Sequence, residues 1–117
     1  MASPPNPSTP DIDTLKSNLY LLSTDFESLK GFFKGYSDPG IYSECLEAVR
    51  ESMAAFPSII KCGQFSLETI AKIFECYYFM ESLARYPFAT NNAEAFKSDE
   101  NWNDVRKLAK EAAGAMG

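Results

Sequence analysis

The 117-residue sequence offers two kinds of side chain that could do chemistry, three cysteines and sixteen carboxylates, and it contains no histidine. Histidine is the commonest general base and the commonest transition-metal ligand, so Ser-His and Cys-His nucleophiles are excluded. Cys45, Cys62 and Cys76 are odd in number and lack C-x-x-C spacing, which argues against a disulfide framework and a structural zinc site. We therefore expect free cysteines that are buried as small hydrophobic residues in a reducing compartment.

One acidic segment shows part of a calcium-loop pattern. Asp99, Asn101 and Asn103 occupy its first, third and fifth positions. However, Asp104 stands where the loop needs glycine, and Lys110 stands where it needs a bidentate glutamate. The same carboxylates are typical of a helix start. Because no phosphate-cradling glycine motif occurs either, we expect a non-catalytic protein with no metal and no cofactor.

The residues best suited to a binding role are aromatic. Positions 76–80 read Cys-Tyr-Tyr-Phe-Met, and five bulky residues in a row cover every side of a helix, so some must face away from the core. Aromatic side chains are enriched at the centres of protein interfaces. The predicted binding residues are Tyr78, Phe79 and Tyr86 in one patch, with Leu21 and Phe32 in a second. The alternative is that this helix is buried on all sides by its neighbours.

The charge balance limits the partners. Sixteen acidic residues against eleven basic ones give a formal net charge of -5, and no basic cluster occurs, so nucleic acid and anionic membranes are disfavoured. No apolar run approaches the roughly 18 residues of a membrane span. The first residues show neither the cationic nor the apolar region of a signal peptide. We expect an intracellular protein, cytoplasmic or nuclear, whose partner is another protein.

A long amphipathic helix is predicted near the start of the chain. Residues 1–9 are rich in proline and are predicted to form a disordered arm, whereas residues 10–117 form one domain. The helix is predicted over about 10–35, because apolar residues recur there at steps of three and four. They are Ile12, Leu15, Leu19, Leu22, Phe26, Leu29 and Phe33. This heptad spacing either packs inside a bundle or forms a seam between copies in a homo-oligomer.

The same periodicity predicts three further helices at about 40–61, 66–86 and 98–113. Pro57 lies inside the first of them and lacks the N–H that a helix interior needs, so we expect a kink there, with an interruption at Phe56 as the alternative. The helix over 66–86 is apolar around most of its circumference and is predicted to be central. One further helical turn is expected at residues 93–96.

The predicted fold is all-α, a four-helix bundle-like single domain with a short disordered N-terminal arm, since no segment alternates as a strand would. The predicted function is a non-catalytic protein-protein interaction module: a small acidic adaptor, complex subunit or inhibitor that binds through an exposed aromatic helical surface. One alternative is a carrier of an apolar small molecule or lipid, in a cavity lined by Phe56, Phe74, Tyr77 and Met80. Another is a homo-oligomeric structural protein that uses the first-helix seam.

Overall fold

The protein is built from helices in the part of the chain that the computed structural model describes, residues 9–85 and 91–117. The elements are α1 (Thr9–Leu22), α2 (Phe26–Phe32), α3 (Asp38–Ser52), a 3-10 turn (Met53–Ala55), α4 (Phe56–Lys61), α5 (Leu67–Arg85), α6 (Ala93–Ser98) and α7 (Glu100–Ala115). These described residues contain no strand, and the long helices α1, α3, α5 and α7 form the bundle. The predicted all-α, four-helix bundle-like fold is therefore confirmed. Most of the predicted arm and Tyr86 lie outside the described residues.

The central helix is α7, which makes extensive contacts with both α1 and α5 and also contacts α6. Its buried face consists of Trp102, Val105, Ala109, Ala112 and Ala113. The three alanines let neighbouring helices approach closely. The helix that was predicted to be central, α5, instead packs mainly on α7 and leaves its opposite face exposed. That prediction is wrong because α5 has apolar residues along two of its sides, and the sequence alone does not show which of the two sides is buried.

The helix predicted over residues 10–35 is in fact two helices, since α1 ends before a three-residue break and α2 follows it. In the break, the hydroxyls of Ser23 and Thr24 donate to the carbonyl oxygen of Tyr20, at 2.6 and 2.8 Å. Asp25 then caps α2 by accepting a hydrogen bond from the Ser28 N–H at 2.9 Å. These side chains form hydrogen bonds with backbone groups at the helix ends. Short polar residues end one helix and begin the next in this way.

The apolar period continues across this break because both helices bury the same side. The heptad residues with almost no exposure are Leu15, Leu19, Leu22, Phe26 and Leu29. They belong to the core, where α1 packs against α3 and α7. The predicted seam between copies is therefore not available on the folded chain, because its side chains are already covered.

The second predicted helix starts earlier and is interrupted rather than kinked. Ser37 caps α3 by accepting from the Gly40 N–H at 3.2 Å, so the helix begins at Asp38. The 3-10 turn then separates α3 from α4, and Pro57 lies in the first turn of α4. In the first turn of a helix the backbone N–H groups have no carbonyl partner within the helix, so a proline there removes no hydrogen bond. An interruption before Pro57 therefore costs less free energy than a kink at Pro57 inside a continuous helix. The structure is therefore closer to the alternative, an interruption at Phe56, although the break lies at Met53–Ala55, directly before that residue.

The last two long helices follow the predictions closely, with small shifts at α7. Ser66 caps α5 by accepting a hydrogen bond from the Thr69 N–H at 3.1 Å. The cap of α7 is Asp99, one residue later than the predicted Ser98, and the helix continues past Gly114. The carboxylates that resemble a calcium loop are thus at a helix start, as predicted.

Between α5 and α7, α6 is a short helix where a single turn was predicted, and it places Phe96 in an aromatic cluster. The Phe96 ring centroid lies 5.1 Å from that of Tyr42 and 5.2 Å from that of Trp102. The Arg106 guanidinium lies 5.0 Å from the same ring and donates to the Phe96 carbonyl oxygen and, at 2.8 Å, to Asn103 Oδ1. Burial lowers the pKa of Arg106. This buried arginine ties α6 to α7.

Candidate functional site

The predicted binding residues that the structure describes differ in how far they are exposed. Tyr78 and Phe32 are well exposed, at 65% and 72% of their surface. Phe79 and Leu21 are half-buried and pack against the core, so their predicted exposure is only partial. Tyr86 lies outside the described residues. Of the two members of the first patch that the structure describes, Tyr78 is the clear surface residue.

The surface around Tyr78 is a row of apolar residues on the outward face of α5, which we call the α5 stripe: Leu67, Ala71, Phe74 and Tyr78. All four are exposed, with 84% of Leu67 and 52% of Phe74 accessible. They follow each other at steps of four, three and four residues. The solvent side of a helix is normally polar, so an apolar row at helical spacing there indicates a surface that another molecule covers.

Three aromatic rings extend this surface from α5 onto α4, and we call them the aromatic ladder: Phe56, Phe74 and Tyr78. The ring centroids of Phe56 and Phe74 are 6.3 Å apart, and those of Phe74 and Tyr78 are 6.1 Å apart. The rings are nearly parallel, with interplanar angles of 26° and 24°. Pro57 and Tyr77 border the groove of about 360 Å3 between the two helices. The ladder is therefore a preformed apolar surface that spans two elements.

An ionic network lies at the end of the ladder. Glu81 is buried, with 8% of its surface exposed, and accepts a hydrogen bond from Arg50 Nε of α3 at 2.7 Å. Arg85 Nη2 pairs with the other oxygen of Glu81 at 3.1 Å. Burial alone lowers the pKa of Arg50, but the hydrogen bond and charge of Glu81 outweigh that effect and raise it. The network fixes α3 against α5 and so fixes the position of the ladder.

The cavity expected for an apolar carrier is not formed by its predicted residues. Phe56, Phe74 and Tyr77 border the open groove, whereas Met80 is fully buried on the core side of α5. Met80 thus lies on the other side of α5 from the groove, and the four side chains do not enclose a common space. The groove that three of them share is open to solvent along the surface.

The side chains with reactive chemistry are not part of this surface. Cys45 and Cys76 are free and fully buried, as predicted, and burial raises the pKa of each to about 12. Both are therefore thiols, not thiolates, at neutral pH. Cys62 is free and half-buried, and its Sγ donates to the carbonyl oxygen of Ile59 at 3.0 Å. Within residues 9–85 and 91–117, no three Cys, Asp or Glu side chains are grouped so that they could hold a metal ion.

Sequence reasoning missed Leu67 and Phe74 as surface residues, because the helix over 66–86 is apolar around most of its circumference and was expected to be central. The signal that could have found them is the second row at helical spacing on α5. Among the helices that the structure describes, none is long and apolar enough to cross a membrane. Comparison with protein-family models, with curated proteins and with solved structures found no match to this chain.

Proposed function

We propose that this protein is a non-catalytic protein-interaction module, a small acidic adaptor, complex subunit or inhibitor, that binds its partner through the α5 stripe and the aromatic ladder. The observation that carries the proposal is the stacked arrangement of Phe56, Phe74 and Tyr78 at the surface. Leaving such large rings in water forfeits roughly 25 cal/mol for each Å2 of apolar surface that a partner would cover. Rigid, clustered aromatic residues are typical of the centre of a protein interface.

The surroundings of the ladder support binding over catalysis. The buried carboxylate beside the ladder, Glu81, is held by two arginines and is not free to act as a base. The cysteine thiols Cys45 and Cys76 are enclosed in the core. An open groove also suits a segment of protein better than a small apolar molecule, which is normally enclosed over most of its surface.

A second, smaller aromatic surface remains a candidate at the end of α2. Phe32 packs edge-on against Phe33 at 4.9 Å between ring centroids, and Phe33 packs against Tyr36 at 5.5 Å. Phe32 and Tyr36 are exposed. None of these three residues lines the groove between α4 and α5, so this group provides a matched comparison.

The test compares two double variants that each remove two exposed rings. Phe74→Gln with Tyr78→Gln removes most of the ladder, and Phe32→Gln with Tyr36→Gln removes the same number of rings elsewhere. Both proteins, tagged and cross-linked in a lysate of the organism that encodes the chain, are compared with the wild type by quantitative mass spectrometry. We expect the ladder variant to lose its partner by about tenfold or more, since central aromatic residues dominate interface energy.

Retention of the same partners by the ladder variant would contradict the proposal. Circular dichroism is the control, because both pairs are exposed and their loss should leave the helical content unchanged. If the comparison variant alone loses its partners, the binding surface is at the end of α2 instead.

A further inference from the structure

We propose that the molecule covering the α5 stripe is a single amphipathic α-helix of the partner, with basic side chains along the edge that faces Glu68 and Glu75. This inference rests on the proposed function and names the kind of partner that the same surface takes. It follows from the spacing of the stripe, from the charges on its two sides and from the symmetry that a second copy would impose.

The spacing of the stripe matches helix packing. Steps of four, three and four residues form the row into which the side chains of another helix fit. From Leu67 to Tyr78 the row is about 17 Å long at 1.5 Å per residue, which corresponds to about three turns of a partner helix. Ala71 is the one small residue in the row, and it leaves a gap between Leu67 and Phe74 for an inserted side chain. A peptide that binds by adding a strand would instead need a strand edge, and the described residues contain no strand.

The two sides of the stripe differ in charge. On one side lie Glu68 and Glu75, seven residues apart and exposed. Lys72 approaches Glu68 at 3.7 Å, whereas Glu75 forms no ion pair with any residue in the described part of the chain. The other side leads into the groove toward α4, which is mostly apolar. A partner helix therefore needs a wide apolar face with Lys or Arg along one edge, and the net charge of -5 adds attraction over a distance.

A second copy of this chain fits the stripe poorly. Helix dipoles favour an antiparallel pair of α5 helices, and a two-fold axis between them brings each side of α5 against the same side of its copy. With Phe74 opposite Tyr78 of the copy, the axis passes near residue 76, so Glu75 approaches its own equivalent. Like charges at that distance oppose pairing.

Two synthetic helical peptides of 18 residues test the inference. They share one apolar face of leucines at steps of three and four, and one carries lysines along an edge where the other carries glutamates. Binding of each to the full chain is measured by fluorescence anisotropy. We expect the lysine peptide to bind about tenfold more tightly, a preference that shrinks with added salt, and to lose binding to the Phe74→Gln, Tyr78→Gln variant.

A charge reversal locates the edge. Glu68→Lys with Glu75→Lys should reverse the preference, so that the glutamate peptide binds more tightly. Glu44→Lys with Glu111→Lys changes the net charge equally at exposed positions on other helices and should keep the preference for lysine. Equal effects of the two double variants would show a response to net charge alone and overturn the inference.

Two further results would overturn it. In the first, neither peptide binds, but the ladder variant still loses its partner in the lysate. That result would exclude a helical occupant and leave the proposed function intact. The other is a doubled mass of the wild-type chain in light scattering, reduced by Phe74→Gln with Tyr78→Gln, which assigns the stripe to a second copy. Retention of the partner in the lysate together with ladder-dependent peptide binding would contradict the proposed function only.

Discussion

Glu81 is the residue on which the relative position of α3 and α5 depends. It is buried between Arg50 and Arg85, and it was not among the residues that the sequence singled out, because a glutamate on an apolar helix gives no sign of its partners. We expect Glu81→Gln to lower the free energy of unfolding by about 2 kcal/mol, since it removes the buried and closer of the two carboxylates that pair with the partly buried Arg50. Urea unfolding at neutral pH measures this change.

The matched control is Glu47→Gln, which removes the other carboxylate near Arg50. Glu47 is exposed and lies 3.4 Å from Arg50, so its loss should change the free energy of unfolding by no more than about 0.5 kcal/mol. Equal effects of the two variants would contradict a special role for Glu81.

The two buried cysteines predict a loss of stability in alkali. In the folded protein the pKa of Cys45 and of Cys76 is about 12, whereas the thiol of an unfolded chain ionises near pH 9. Below pH 9 both states hold the proton and stability does not change. Between pH 9 and 12 the unfolded state loses it first, so the free energy of unfolding falls, by about 1 kcal/mol per cysteine at pH 10.

Urea unfolding at pH 7 and pH 10 tests this expectation. Cys45→Ala should reduce the difference between the two pH values by about 1 kcal/mol. Val49→Ala, at a fully buried position on the same helix, should lower stability at both pH values and keep the full difference. If Cys45→Ala also keeps the full difference, other groups cause the alkaline loss.

At the scale of the element, the break between α1 and α2 shows why a period alone does not define a helix. The apolar spacing is continuous from Ile12 to Phe33, but it records only which side is buried, and two helices in line bury the same side as one. Ser23, Thr24 and Asp25 indicate the break in the sequence, because these three consecutive residues are of types that favour the capping positions at helix ends. Similarly, Pro57 marked an interruption, and its place in the first turn of α4 follows from the donor it lacks.

The role of Asp25 as the N-cap of α2 can be tested through its effect on stability. The hydrogen bond from the backbone N–H of Ser28, with that of its hydroxyl, lowers the pKa of Asp25. We expect Asp25→Ala to lower the thermal midpoint at pH 7, and Asp25→Asn to restore most of it because an amide oxygen also caps a helix. As the pH falls below the normal aspartate pKa, the wild type should lose this contribution, whereas the Asn variant has none to lose. Thermal melts at pH 7 and pH 3 compare the three proteins. Identical midpoints at pH 7 would contradict the capping role.

At the scale of the whole molecule, the sequence predicts the fold class and most helices but not their arrangement. Apolar residues spaced three and four apart predict helices. The same spacing excludes strands, in which apolar and polar residues alternate. Which helix is central depends on shape, and the small residues Ala109, Ala112 and Ala113 make α7 the one that others approach. Because α5 packs on α7 with one of its two stripes, the stripe with Leu67 and Phe74 is left on the surface. The candidate site was therefore only partly predictable, and Tyr78 is the one predicted binding residue that lies in the α5 stripe.

The packing around α7 predicts the effect of adding volume. Ala109→Leu places three extra carbons at a position with no exposure, and we expect it to lower the free energy of unfolding by about 2 kcal/mol. Ala115→Leu adds the same carbons at an exposed position of the same helix and should change it little. Chemical denaturation compares both variants with the wild type. A neutral Ala109→Leu would show that α7 does not pack closely on its neighbours.

The central position of α7 also has a consequence for synthesis. The ribosome releases α1, α3 and α5 before α7, yet α1 and α5 both need α7 to cover their apolar sides. We therefore expect that the nascent chain cannot close its core as it grows, and that its leucine and aromatic side chains stay uncovered until α7 has left the ribosome. We expect chaperones to bind these uncovered side chains during this interval. We also expect proteases to degrade a chain whose synthesis stalls before α7.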